Sequence, residues 1–120
     1  MIRPLQKTYT FETEFGPMAI ALYDILWADS DCKDLHAPAK LHLADRVITC
    51  KATFDTILPR LGDTFLLCLT RGAVNSLRIR RFETNQIIFD TNASVSIDPF
   101  LSSRFQEKYC RDMASRVWED

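Results

Sequence analysis

Glycine is scarce in this chain: only Gly16, Gly62 and Gly72 occur among 120 residues. No two stand close enough to build a backbone cradle for phosphate, so Walker and dinucleotide-binding fingerprints are absent. There is no GxSxG nucleophile elbow and no HExxH zinc helix. Long hydrophobic runs are missing too. The best one, 18–28, is interrupted by Asp24 and falls well short of the ~20 apolar residues that cross a bilayer, so no membrane span is expected. Residues 1–15 contain no apolar targeting segment, and the expected location is cytoplasmic.

Charge of one sign is also lacking. Fifteen Lys and Arg stand against sixteen Asp and Glu, a net charge of −1, which gives no global attraction to nucleic acid or acidic lipid. The four cysteines, Cys32, Cys50, Cys68 and Cys110, are too dispersed for a disulfide framework and read as free thiols in a reducing compartment. What is present is ordinary globular material: 47% hydrophobic and 26% charged residues, in a length that suits one domain, 1–120, around one core.

The most legible stretch is 63–90. β-Branched, aromatic and leucine residues cluster there between turn signals, which predicts a three-strand meander over 64–90. In its first strand Phe65, Leu67 and Leu69 alternate with Leu66 and Cys68, so both faces are apolar and both need cover. A connection follows at 71–75. Leu77 and Ile79 then alternate with Arg78 and Arg80, and the pattern slips one position at Phe82, which predicts a β-bulge at 80–82.

Upstream, 8–15 alternates as a strand, and Gly16-Pro17 punctuates it. Residues 18–27 fit either a returning strand or a helix opened by Pro17; the hairpin is preferred because the first strand needs a neighbour. Residues 28–39 read as a polar loop, 40–43 as the start of a strand. From 46 to 58 two periods compete. Val, Ile and Thr favour a strand to Phe54, followed by a helical turn at 55–58, because Pro59 would cost ~3 kcal/mol inside a continuous helix. Residues 94–97 add a short strand. Finally Asp98-Pro99 caps an amphipathic helix over 99–118, with Leu101, Phe105, Tyr109, Met113 and Val117 on one stripe.

The fold expected is therefore α+β: a mostly antiparallel sheet or partly closed barrel, built of hairpins and a meander and packed by a C-terminal helix. This order of elements is similar to that of small pleckstrin-homology-like barrels, an analogy of architecture that no motif carries. The helical reading of 46–61 would instead give the order of longin-like domains.

Two groups of residues invite a chemical reading. Arg71, Arg78, Arg80 and Arg81 have no acid between Asp63 and Glu83, and guanidinium groups on a strand face can bind a carboxylate or phosphate bidentately. The function expected by elimination is a non-enzymatic interaction module that recognises a protein or an anionic ligand through those arginines. A protein partner or a second copy is the expected partner; nucleic-acid binding stands as the second alternative function, disfavoured for want of interleaved aromatics and positive charge. The competing class is a small enzyme or zinc-binding domain at 32–50, with Cys32, His36, His42 and Cys50 as ligands or Cys32 as a nucleophile beside His36. The spacing C-x3-H-x5-H-x7-C lacks the paired short knuckles of structural zinc sites, and no cofactor is implied.

Overall fold

A computed structural model describes residues 7–31, 34, 36–69, 72–83 and 85–97. Strand β1 (Thr8–Thr13) turns at Glu14 and Phe15 into β2 (Gly16–Ala21), with Thr13 opposite Gly16 and Thr8 opposite Ala21. The turn comes one step before the Gly16-Pro17 signal. Gly16, at φ +93°, supplies the left-handed residue that ends the reversal, and Pro17 enters an edge strand where a missing N–H is tolerated. Thr13 closes the corner: its hydroxyl donates to the Gly16 carbonyl at 2.7 Å and accepts from the Phe15 N–H at 3.1 Å.

A 3-10 turn at Leu22–Asp24 leads into β3 (Ile25–Asp29). Strands β4 (Pro38–Leu43) and β5 (Val47–Thr53) form the next hairpin, closed by a 2.9 Å bond from the Leu43 N–H to the Arg46 carbonyl. Helix α1 (Phe54–Leu61) follows directly. It runs through Pro59, beyond the turn expected at 55–58. Phe54, Ile57 and Leu61 are all buried along one stripe, and their burial at about 1.5–3 kcal/mol each outweighs the backbone bond that proline removes.

The region 64–90 departs from a three-strand meander. It contains four strands in two sheets: β6 (Phe65–Leu69) with β7 (Gly72–Asn75), then β8 (Ile79–Glu83) with β9 (Gln86–Phe89). Asn75 is the physical reason. Its buried amide donates to the Leu22 and Ile25 carbonyls at 3.4 and 3.1 Å, while its side-chain oxygen accepts the Leu77 N–H at 3.1 Å. The chain thereby leaves the first sheet through a 3-10 turn at Ser76–Arg78 and begins the second at Ile79. The bulge expected at 80–82 is present as a register shift between Ile79 and Arg81. Strand β10 (Ser94–Ser96) completes the small sheet.

The seven-stranded sheet has the order β2-β1-β5-β4-β3-β7-β6, the three-stranded sheet β10-β9-β8, and every pairing is antiparallel. The fold is α+β, as expected. The large sheet stays open rather than closing into a barrel, and β5 preceding α1 removes the longin-like order. Two cores result. Phe11, Ile25, Leu41, Ile48 and Phe65 pack with α1 on one face of the large sheet. On the other face Leu26, Leu66 and Val74 meet Ile87, Phe89 and Ile97 of the small sheet's side. Phe65 and Leu66 thus enter opposite cores, as a strand covered on both sides requires, although Leu67 is exposed. The helix expected over 99–118 lies outside the described residues.

Candidate nucleic-acid interface

The arginines do not form one free cationic face. Arg78 ends the 3-10 turn instead of sharing a strand with Arg80. Its Nε and Nη2 donate to the two carboxylate oxygens of Asp90 at 2.7 and 2.9 Å, and Nη1 donates to the Tyr23 carbonyl at 2.8 Å. The guanidinium also lies over the Tyr23 ring, 4.6 Å from its centroid. Hydrogen bonding to Asp90 raises its pKa above the usual arginine value, against an opposing effect of burial. Arg80 donates to the Asn92 side chain at 2.9 Å, and Arg81 pairs with Glu83 at 3.0 Å. Arg71 lies outside the described residues.

A more open arrangement occupies one end of the large sheet. Asp29 ends β3; it stands opposite Lys40 of β4 on one side and opposite Gly72 of β7 on the other. Gly72 in turn pairs with Leu69, so the strands flanking positions 70–71 meet the base of the 30–37 connection. Within that connection the Ala37 N–H bonds to the Asp34 carbonyl at 3.1 Å and the His36 N–H to the Asp34 carboxylate at 2.9 Å. Lys40 faces Thr49 across β5, with Lys51 two residues further along. Among the described residues Lys40 and Lys51 are exposed and neither carries a hydrogen bond or ion pair.

Beside these lysines sits a compact cluster. The His42 ring stacks on Trp27 with centroids 4.2 Å apart and planes 11° from parallel, and Trp27 stacks in turn on Phe89 of β9 at 5.4 Å. Asp29 accepts from both rings, from Trp27 Nε1 at 3.2 Å and from His42 Nε2 at 2.8 Å. A carboxylate only accepts, so Nε2 carries the proton in this arrangement. The Trp27–Asp29–His42 contact was not foreseen from the sequence. Trp27 and His42 lie directly opposite each other, and only the β3–β4 register reveals it.

The other candidate ligands are dispersed. Cys50 is buried in the core beneath α1, on the opposite side of the sheet from the His42 and Trp27 rings, and burial pushes its thiol pKa up. Cys32 lies outside the described residues, and among the described residues no three His, Cys, Asp or Glu side chains are grouped as a metal site. A cleft of about 140 Å³ between β1, β5 and α1 has Phe11, Cys50, Ala52 and Ile57 as its floor and Glu12, Thr56 and Arg60 at its rim.

No family model matches the chain, and no curated protein matches it. Its fold, however, is shared with a solved structure. The chain is similar to the LytTr DNA-binding domain of a protein described as a methyl-accepting/DNA response regulator from Bacillus cereus. The TM-score is 0.66 at 17% sequence identity, over 85% of this chain and 95% of that one. Such a likeness establishes the fold. It also overturns two expectations: that the chain is foremost a module for proteins or anionic ligands, and that nucleic acid is a disfavoured partner. Net charge alone does not exclude nucleic acid, because a few local cations can meet phosphate whatever the sum over the whole surface. What the comparisons establish is the architecture: this chain has the fold of a LytTr domain.

Proposed function

We propose that this chain is a DNA-binding domain. The observation that carries the reading is the shared fold, which spans nearly the whole of a domain named for DNA binding. Duplex DNA would meet the end of the large sheet where β3 and β4 are joined. Lys40 and Lys51 there are cations without carboxylate partners, suited to phosphate oxygens. Arg71, one position before the Gly72 that pairs with Asp29, belongs to the same proposal. Its planar fork suits a guanine edge or a phosphate. His36, in the 30–37 connection, would add a donor and acceptor for base edges.

Selection from a random-sequence duplex pool, followed by titration of the enriched duplex at increasing salt, tests this. Affinity should fall steeply with salt, and Lys40→Glu and Lys51→Glu should each weaken binding by roughly tenfold. Failure to enrich any duplex, together with no binding at about 50 mM salt, overturns the reading.

A further inference from the structure

Asp29 and Lys40 face each other directly across β3 and β4, yet they form no ion pair. Side chains in that relation have Cβ atoms ~4.5–5.5 Å apart, well within reach of a lysine for a carboxylate. The Asp29 carboxylate is instead turned to Trp27 Nε1 and His42 Nε2, one on each oxygen, 3.2 and 2.8 Å away. Those two donors are fixed by the stack that runs from Phe89 through Trp27 to His42. We infer that Trp27 and His42 are positioning residues that hold the Asp29 carboxylate away from Lys40 and so keep the lysine ammonium available to a DNA phosphate.

The inference rests on the DNA-binding reading and adds to it a reason why an acid at the binding end is compatible with it. An exposed Asp–Lys pair would internally neutralise one of the two lysines. Its formation on DNA release would compete with phosphate for the same ammonium group. The two ring donors prevent that competition without removing the acid, whose charge still anchors the His42 ring. Neither ring needs to touch DNA.

Trp27→Phe and His42→Phe each keep an aromatic ring in the stack and each delete one donor. In the double variant the carboxylate is released toward Lys40. Affinity for the selected duplex should drop about five- to tenfold, the order expected for one lost charge-assisted contact. The slope of log affinity against log salt should shrink by about 0.9, one phosphate fewer. Adding Asp29→Asn should restore both, which no general loosening of the sheet would do. A second measurement needs no DNA: mild acetylation mapped by mass spectrometry. The Lys40 amine, normalised to Lys51, should label about threefold more slowly in the double variant, because a carboxylate contact favours the unreactive ammonium form. Unchanged Lys40 labelling overturns the inference. So does a loss of affinity that Asp29→Asn fails to restore. If the native protein binds no duplex while Lys40 labelling responds as expected, the DNA reading falls and with it the role assigned to the lysine; the carboxylate's diversion stands.

Discussion

Arg78 and Asp90 are joined by two parallel hydrogen bonds, and the same guanidinium reaches the carbonyl of Tyr23 in the turn before β3. One side chain therefore ties the 3-10 turn leaving the large sheet to the end of β9 and to the turn entering β3. Arg78→Lys keeps the charge but loses the fork. It should cost about 1 kcal/mol, discounted because Asp90 is substantially exposed. Chemical denaturation would read this, with the salt slope for DNA unchanged.

Asn75 should be among the most sensitive positions. It is 1% exposed and spends its amide on two carbonyls and one N–H. Asn75→Ala removes all three bonds at a buried site and should cost roughly 2–4 kcal/mol. Asn75→Asp keeps the acceptor for the Leu77 N–H but removes the donors to Leu22 and Ile25, so it should rescue little. Thermal unfolding of both variants checks the ranking.

The β1–β2 corner offers a separate test of backbone strain. A Cβ on Gly16 would meet nothing within 4 Å, so steric room is not limiting; φ +93° is. Gly16→Ala should therefore cost about 1–2 kcal/mol with no rearrangement of neighbours. Thr13→Val, at a fully buried hydroxyl that serves two backbone groups, should cost about as much by a different route. Equal loss in both, measured by denaturant midpoints, would locate the stability of the hairpin in its corner.

Cys50 should be chemically silent in the folded chain. Desolvation raises its pKa above the ordinary 9.0, so the reactive thiolate is suppressed and the thiol is shielded by the core. Alkylation at pH 8, mapped by mass spectrometry, should reach Cys50 only after unfolding. The sign of the pH effect follows. Below pH 9.0 both states keep the proton and pH does not matter; above it the unfolded thiol ionises first, so stability falls as pH rises. Cys50→Ala should flatten that decline.

Much of the architecture was legible in the residues, and the exceptions share a cause. The β1–β2 hairpin, β5, β10 and the bulge within β8 announced themselves through local alternation and turn chemistry. Strand β7 did not: Ala73 and Val74 stand between a glycine and an asparagine, too short a run to carry a period, and all four of its residues are buried by partners distant in sequence. Helix α1 extends past the expected 55–58 because the buried stripe of Phe54, Ile57 and Leu61 outweighs the helix-breaking tendency of Pro59. The four arginines were visible as a cluster, but the acids and amide that engage Arg78, Arg80 and Arg81 were not assigned to them. Lys40 and Lys51 carry no sequence signal, since a free cation is recognisable only once its neighbours in the sheet are known.

Strand β3 belongs to both cores at once. Ile25 and Ala28 serve the α1 side, Leu26 the small-sheet side, and its hydrogen-bonding neighbours are β4 and the much later β7. A nascent chain that stops before Gly72 leaves β3 as a bare edge with half its apolar surface wet. Strands β1 to β5 can pair with one another and pack with α1 earlier. Strand β3, however, gains its last neighbour and its second layer only after the chain has passed Gly72 and reached the small sheet, so when the finished molecule melts the two layers should go together.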